Sequence, residues 1–272
     1  MERKRLCSDC ISCIAKNQLE KYPEGTKEEE KVAYKQRVLK LLGEAKLTDS
    51  APLLVKRIND VQKEMFGASQ DYTEIKKYFN DYVLGKVPKI EKEILESPDP
   101  LLRALQYSMT GNYIDFGAMA KVDEEKFEEL LSGAKEIVFD ESQYLQLRQD
   151  LSAAKRFVLL TDNCGEVVFD LILVKILKKL YPELSMTAIV RGEQVLNDAT
   201  MEDADQIGMT QLIRVIGNGS GVAGTVLEEI SEEAVKTLEE GDVLPASVQG
   251  LEICQPLGQD HIPFLQCFYG FL

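Results

Sequence analysis

Three short blocks of this chain set carboxylate and amide oxygens beside glycine at spacings that suit metal-assisted phosphate chemistry. The first is Asp162-Asn163-Cys164-Gly165-Glu166 and the second is Asn197-Asp198-Ala199-Thr200. The third is a glycine run (Gly217, Gly219, Gly221, Gly224) that holds Asn218 and Ser220. Oxygen-rich sets of this kind suit hard divalent cations such as Mg²⁺ or Mn²⁺. Glycines beside a helix start can receive a phosphate on backbone N–H groups. Taken singly, each residue is as well explained by a turn or a cap, and Asn197 or Asp198 is placed to cap the helix after it. Their recurrence after three consecutive strands favours one shared site.

Those strands follow from the apolar pattern. Phe157-Val158-Leu159-Leu160-Thr161 reads as a short strand buried on both faces, as in a parallel sheet. A helix from Gly165 to Leu180, a strand Thr187–Val190, a short helix Met201–Ile207 and a strand Leu212–Ile216 come next. The glycine run then leads into a helix Thr225–Leu238, and Asp242 begins another strand. This alternation predicts an α/β fold, a Rossmann-like doubly wound, mainly parallel sheet. In such sheets ligands bind beyond the carboxyl ends of the strands, where the three blocks lie.

The first third reads as helices instead. Thr26 is placed to cap a segment ending at Gly43, and further helices are expected over Pro52–Phe66, Tyr72–Leu84 and Pro88–Leu95. Ser97-Pro98-Asp99-Pro100 must interrupt any helix. It divides an N-terminal helical region, 1–98, from an α/β metal-binding domain, 99–272.

Composition narrows the chemistry. Among 272 residues, 32 Lys and Arg face 46 Asp and Glu, a net charge of −14. That balance argues against a nucleic-acid clamp or an anionic-membrane binder, both of which need a basic face. The sole histidine is His261, which removes Ser-His-Asp hydrolysis and His-rich zinc sites. No apolar run reaches the ~18–20 residues of a membrane span, and the basic N-terminus has no apolar stretch behind it. A cytoplasmic protein is expected, with its six cysteines as thiols or metal ligands.

Competing motifs fail. A haloacid-dehalogenase phosphatase needs a second Asp where Cys164 stands, and a dinucleotide fold needs G-x-G-x-x-G where only Gly165 is found. Instead Thr161–Glu166 with Asp170, Val195–Thr200 and Gly111-Asn-Tyr-Ile-Asp-Phe-Gly117 together resemble the metal-dependent damage-control phosphatases. Some members of that family were described as acidic-residue methyltransferases. The cysteines near the N-terminus resemble its Cys-bearing bacterial and archaeal branch. The resemblance implies a divalent-metal-dependent phosphatase (Mn, Co, Ni or Mg) acting on small phosphorylated metabolites such as sugar phosphates. It implies Asp162, Asn163 and Asp198 as metal ligands and catalytic residues. Asn112, Asp115, Glu166 and Asn197 become pocket residues, and Ser220 joins them with the glycine loop. Arg191 is either a second positive contact for the phosphate or a surface arginine. Two readings stand against this one: an S-adenosylmethionine-dependent carboxyl methyltransferase, and an inactive metal- or ligand-binding protein.

Two segments stand apart. Cys7, Cys10 and Cys13 form an incomplete metal set; three residues apart on a helix they share a face, which favours buried structural thiols. Cys164 reads as a small buried residue. Residues 245–272 contain no Lys or Arg, and a K-G-x-x-N-[FY]-E block that the resemblance leads one to expect after Asp242 is missing. This tail is read as the product of a reading-frame shift. It is expected to expose Phe264, Phe268, Tyr269 and Phe271 and to leave activity low.

Overall fold

The apolar run after Lys155 forms β1 (Arg156–Leu160), which pairs in parallel with β2 (Ser185–Val190); β2 in turn pairs in parallel with β3 (Arg214–Gly217). The structure is a computed structural model and describes residues 6–67, 71–113 and 124–243. Val243 bridges Phe157 on the free side of β1, in parallel, with Val158 N–H donating to Val243 O at 2.9 Å. The sheet is therefore wound outward from β1 to β3 and then back to the far side of β1. That reversal places a topological switch point at the carboxyl end of β1, where open α/β sheets bind ligands.

Both faces of the sheet are covered, so its strands need apolar residues at every position. Phe157, Leu159, Met186, Ala188 and Val190 pack with α9 (Glu166–Leu180). Val158, Leu160, Ile189 and Ile216 pack with Ala234 and Leu238 of α11 (Glu232–Glu240). The short α10 (Met201–Gln206) lies between β2 and β3 in the chain. This is the doubly wound α/β fold the alternation predicts.

The helical elements divide between two apolar clusters. α1 (Ser8–Gln18), α2 (Glu28–Glu44) and α3 (Ala51–Phe66) enclose Ile14, Tyr34, Val38, Leu42, Leu54 and Ile58. α4 (Thr73–Leu84), α5 (Val87–Glu96), α6 (Pro100–Tyr113), α7 (Glu124–Gly133) and α8 (Glu141–Ala153) contribute to the same core as α9 and the sheet. The proline-rich break is a tight corner. Asp99 Oδ1 accepts from Leu102 N–H at 3.1 Å to cap α6, and its other oxygen accepts from Tyr144 OH at 2.7 Å.

Two helix starts differ from expectation. α2 begins after Lys27, because Thr26 Oγ1 donates to Pro23 O at 2.7 Å instead of capping the helix. The last helix begins at Glu232 and not Thr225: Ser231 Oγ caps it, and Ser231 N–H is held by Asn218 O at 2.8 Å. Asp115 and the tail from 245 lie outside the described residues. Among the described residues no helix is long and apolar enough to cross a membrane.

Candidate functional site

The backbone between β1 and α9 has to turn sharply, and Gly165 supplies the turn at φ +86°. The turn is stitched to the loop after β2: Ala199 N–H donates to Asp162 O and Cys164 N–H to Asn197 O at 2.8 Å. Asn163 and Asp198 are bridged in antiparallel fashion. Two of the three sequence blocks are thus one structural unit at the carboxyl edge of the sheet. Asp198 is not a helix cap. Thr200 takes that role for α10, with Asp203 Oδ2 accepting from Thr200 N–H at 2.8 Å.

Asp162, Asp198 and Arg191 are 3%, 4% and 3% exposed. Arg191 Nε lies 2.6 Å from Asp198 Oδ2, and Nη2 lies 3.3 Å from Asp162 Oδ1. Asn163 Nδ2 donates to Asp162 Oδ2 at 3.2 Å, so the proposed ligands do come together. Arg191 is no surface arginine; it joins the two carboxylates and reaches Thr225 Oγ1 at 3.4 Å. Burial pushes the Asp198 carboxyl up, and the guanidinium pulls it back only in part. Below this layer Asp170 is pushed up to about 7, by burial first; the bond from Ser108 Oγ at 3.0 Å opposes that shift and the charge of Asp162 adds to it.

The third block is positioned by contact. A Cβ built on Gly192 would run into the backbone of Gly219, so the loops after β2 and β3 touch through two glycines. Asn218 Oδ1 accepts from Gly192 N–H at 2.8 Å and from Ser220 N–H at 2.9 Å. Ser220 is buried and its hydroxyl accepts from Val222 N–H. The expected N–H cradle is narrowed here to part of the loop. The N–H groups of Asn218, Ser220, Val222 and Gly224 are spent on partners within the fold.

Glu166 and Asn197 are buried at the same edge. Asn112 sits in the last turn of α6, next to Gly111, where a Cβ would meet Phe169 at 2.7 Å and Glu166 at 3.4 Å. That close approach brings the Gly111 block to the first turn of α9. Asp115 falls outside the described residues.

Two functional neighbours escaped the sequence reading. Lys76, 1% exposed, lies 2.7 Å from Asp203 Oδ2 and donates to Gln194 Oε1 at 2.7 Å. Asn80 Oδ1 accepts from Gly165 N–H at 2.7 Å. One helix, α4, therefore fastens both carboxylate loops. The signal was available: Lys76, Phe79, Asn80 and Val83 form the buried stripe of α4, and two of the four are polar.

The donor chemistry fits a hard divalent cation. Two buried carboxylates and the neighbouring Asn163 amide offer oxygen donors, with Arg191 bridging the carboxylates. Among the described residues no three His, Cys, Asp or Glu side chains form a ligand set, so the Asn163 amide and water would have to complete the coordination.

The sequence profile of the Damage-control phosphatase ARMT1-like domain matches residues 6–245. The chain belongs to this family. A damage-control phosphatase of Archaeoglobus fulgidus is 35% identical over 71% of this chain and 66% of its own length. An uncharacterised protein of Methanocaldococcus jannaschii is 33% identical over 69% and 62%. A damage-control phosphatase of Pyrococcus horikoshii is 26% identical over 94% and 88%. The matched stretch thus spans 66% and 62% of the first two relatives, just under two thirds. The crystal structure of a DUF89 family protein from Pyrococcus horikoshii has a TM-score of 0.74 at 22% identity, over 89% of this chain and 84% of that one. At that identity the likeness concerns the fold.

Proposed function

We propose that this chain is a divalent-metal-dependent phosphatase that hydrolyses phosphate monoesters of small phosphorylated metabolites, sugar phosphates among them. Family membership supports the phosphatase reading. The observation that supports the metal dependence is the pair Asp162 and Asp198, buried together from successive strand ends and bridged by Arg191. Asp162, Asn163 and Asp198 would hold the cation, which supplies Lewis-acid polarisation of a phosphoryl oxygen. Arg191 orients both carboxylates and opposes, in part, the push of burial on Asp198. The burial of Asp162, Asp198 and Arg191 strengthens the electrostatic contacts among them. Thr225 fixes the guanidinium, and Lys76 with Asp203 fixes the loop that carries Asp198.

The test is phosphate release from a panel of sugar phosphates with Mn²⁺, Co²⁺, Ni²⁺ or Mg²⁺ and with a chelator. Release should need the cation and should vanish in Asp162→Asn and Asp198→Asn. Release that survives chelation would overturn the metal dependence. Methyl transfer from S-adenosylmethionine without phosphate release would overturn the phosphatase reading.

A further inference from the structure

Cys7 and Cys10 were expected to be buried, yet Cys7 is exposed and Cys10 only partly covered. Their Sγ atoms are 3.0 Å apart. We propose that Cys7 and Cys10 form a thiol–disulfide exchange site for low-molecular-weight disulfides, in which Cys7 attacks and Cys10 resolves.

Cys7 stands outside the helix as the N-cap of α1, in extended backbone at φ −123° and ψ 171°. Its sulfur accepts the backbone N–H of Cys10 at 3.4 Å. The helix end favours a negative charge there. Contacts from the Cys10 thiol and N–H hold the Cys7 thiol below its ordinary value, against the charge of Asp9. Closing the pair to an S–S bond of ~2.05 Å requires the sulfurs to approach by about 1 Å.

The other described thiols are excluded by geometry. Cys10 and Cys13 both lie within α1, where residues three apart keep their Cβ atoms ~5–6 Å apart. A disulfide needs ~3.5–4.5 Å. Cys13 Sγ instead accepts from Asn17 Nδ2 at 3.3 Å. Cys164 is fully buried, and burial together with the nearby Asp203 charge pushes its thiol well up, so it is inert.

The exchange balances in two steps. The Cys7 thiolate attacks one sulfur of R–S–S–R; that S–S bond breaks, Cys7–S–S–R forms, and RS⁻ leaves to take a proton from solvent. Cys10 gives its proton to solvent and attacks the Cys7 sulfur, and a second RS⁻ leaves. The dithiol has lost two electrons and R–S–S–R has become two R–SH.

The test uses the reduced full-length chain treated with oxidised glutathione, then acid-quenched, unfolded, alkylated and mapped by peptide mass spectrometry. Mapping separates the bond from the thiols of Cys254 and Cys267. The expected product joins Cys7 to Cys10 and is two hydrogens lighter, with Cys13 and Cys164 alkylated. Cys10→Ser should accumulate glutathione on Cys7, and Cys13→Ser should close as the parent does. Full alkylation of Cys7 and Cys10 after excess oxidant would overturn the proposal. So would frequent bonding of either to Cys13, or a zinc or iron ion that protects all three thiols in the purified protein.

Discussion

Arg191 Nε lies 2.6 Å from Asp198 Oδ2 where neither group reaches water. The guanidinium shared with Asp162 offsets part of the cost of burying two carboxylates side by side. A divalent cation held by the two carboxylates would add a second positive partner beside the guanidinium.

Removing Arg191 should expose that balance. Breaking a buried ion pair by deleting one partner costs roughly 3–5 kcal/mol. Arg191→Met should lower stability by about that much in metal-free urea titrations. Millimolar Mn²⁺ should recover part of the loss, because the cation replaces the missing positive charge. If no divalent cation recovers any of it, the proposed metal site is in the wrong place.

Asp170 predicts a pH dependence of stability. Its folded carboxyl is pushed up to about 7, above its ordinary value of 3.8. Between those limits the native state binds a proton that the unfolded state has released. Stability must then fall as pH rises from about 4 to about 7, by an amount on the order of 4 kcal/mol from this group. Above about 7 both states are ionised and the penalty is constant. Asp170→Asn keeps an acceptor for Ser108 and should flatten this slope in urea titrations at a series of pH values. An unchanged slope would refute the assignment.

Much of this was legible from local pattern. β1 and α9 were readable because an unbroken apolar run followed by Gly165 permits little else. Pro52 and Gly67 bracket α3 in the same way. The misread stretch is Thr225–Ile230, whose Val226, Leu227 and Ile230 mimic a helical stripe. Leu227 and Ile230 do pack on the sheet, but as a loop held by Arg191 at one end and by Asn218 at the other. Arg191 itself looked ambiguous because its partners sit 29 and 7 residues away in the chain. Lys76 lies 118 residues from Gln194, and no local signal names such a partner.

Lys76 should matter for both stability and site geometry. Lys76→Met leaves Asp203 buried and charged, at a cost of roughly 3–5 kcal/mol. Adding Asp203→Asn removes the stranded charge and should return a measurable part of that loss, which a double-mutant cycle on urea midpoints would show. Strict additivity of the two changes would mean that the 2.7 Å contact carries no coupling.

Gly192 and Gly43 make opposite predictions from the same substitution. At Gly192 a Cβ has no room, because it would meet the backbone of Gly219, which at φ +73° cannot easily shift. Its N–H also holds Asn218 Oδ1, so relief by movement would drag the loop that carries Arg191 away from Asp198. Gly192→Ala should cost about 1–3 kcal/mol. It should also lower metal affinity, because the carboxylates lose their spacing. Gly43 is exposed in α2 with nothing within 4 Å of a built Cβ, so Gly43→Ala should stabilise by up to about 1 kcal/mol through helix propensity alone. Thermal denaturation of both variants, with metal titrations followed by calorimetry, compares them directly. Equal effects of the two substitutions would show that the Gly192–Gly219 contact does not hold the site together.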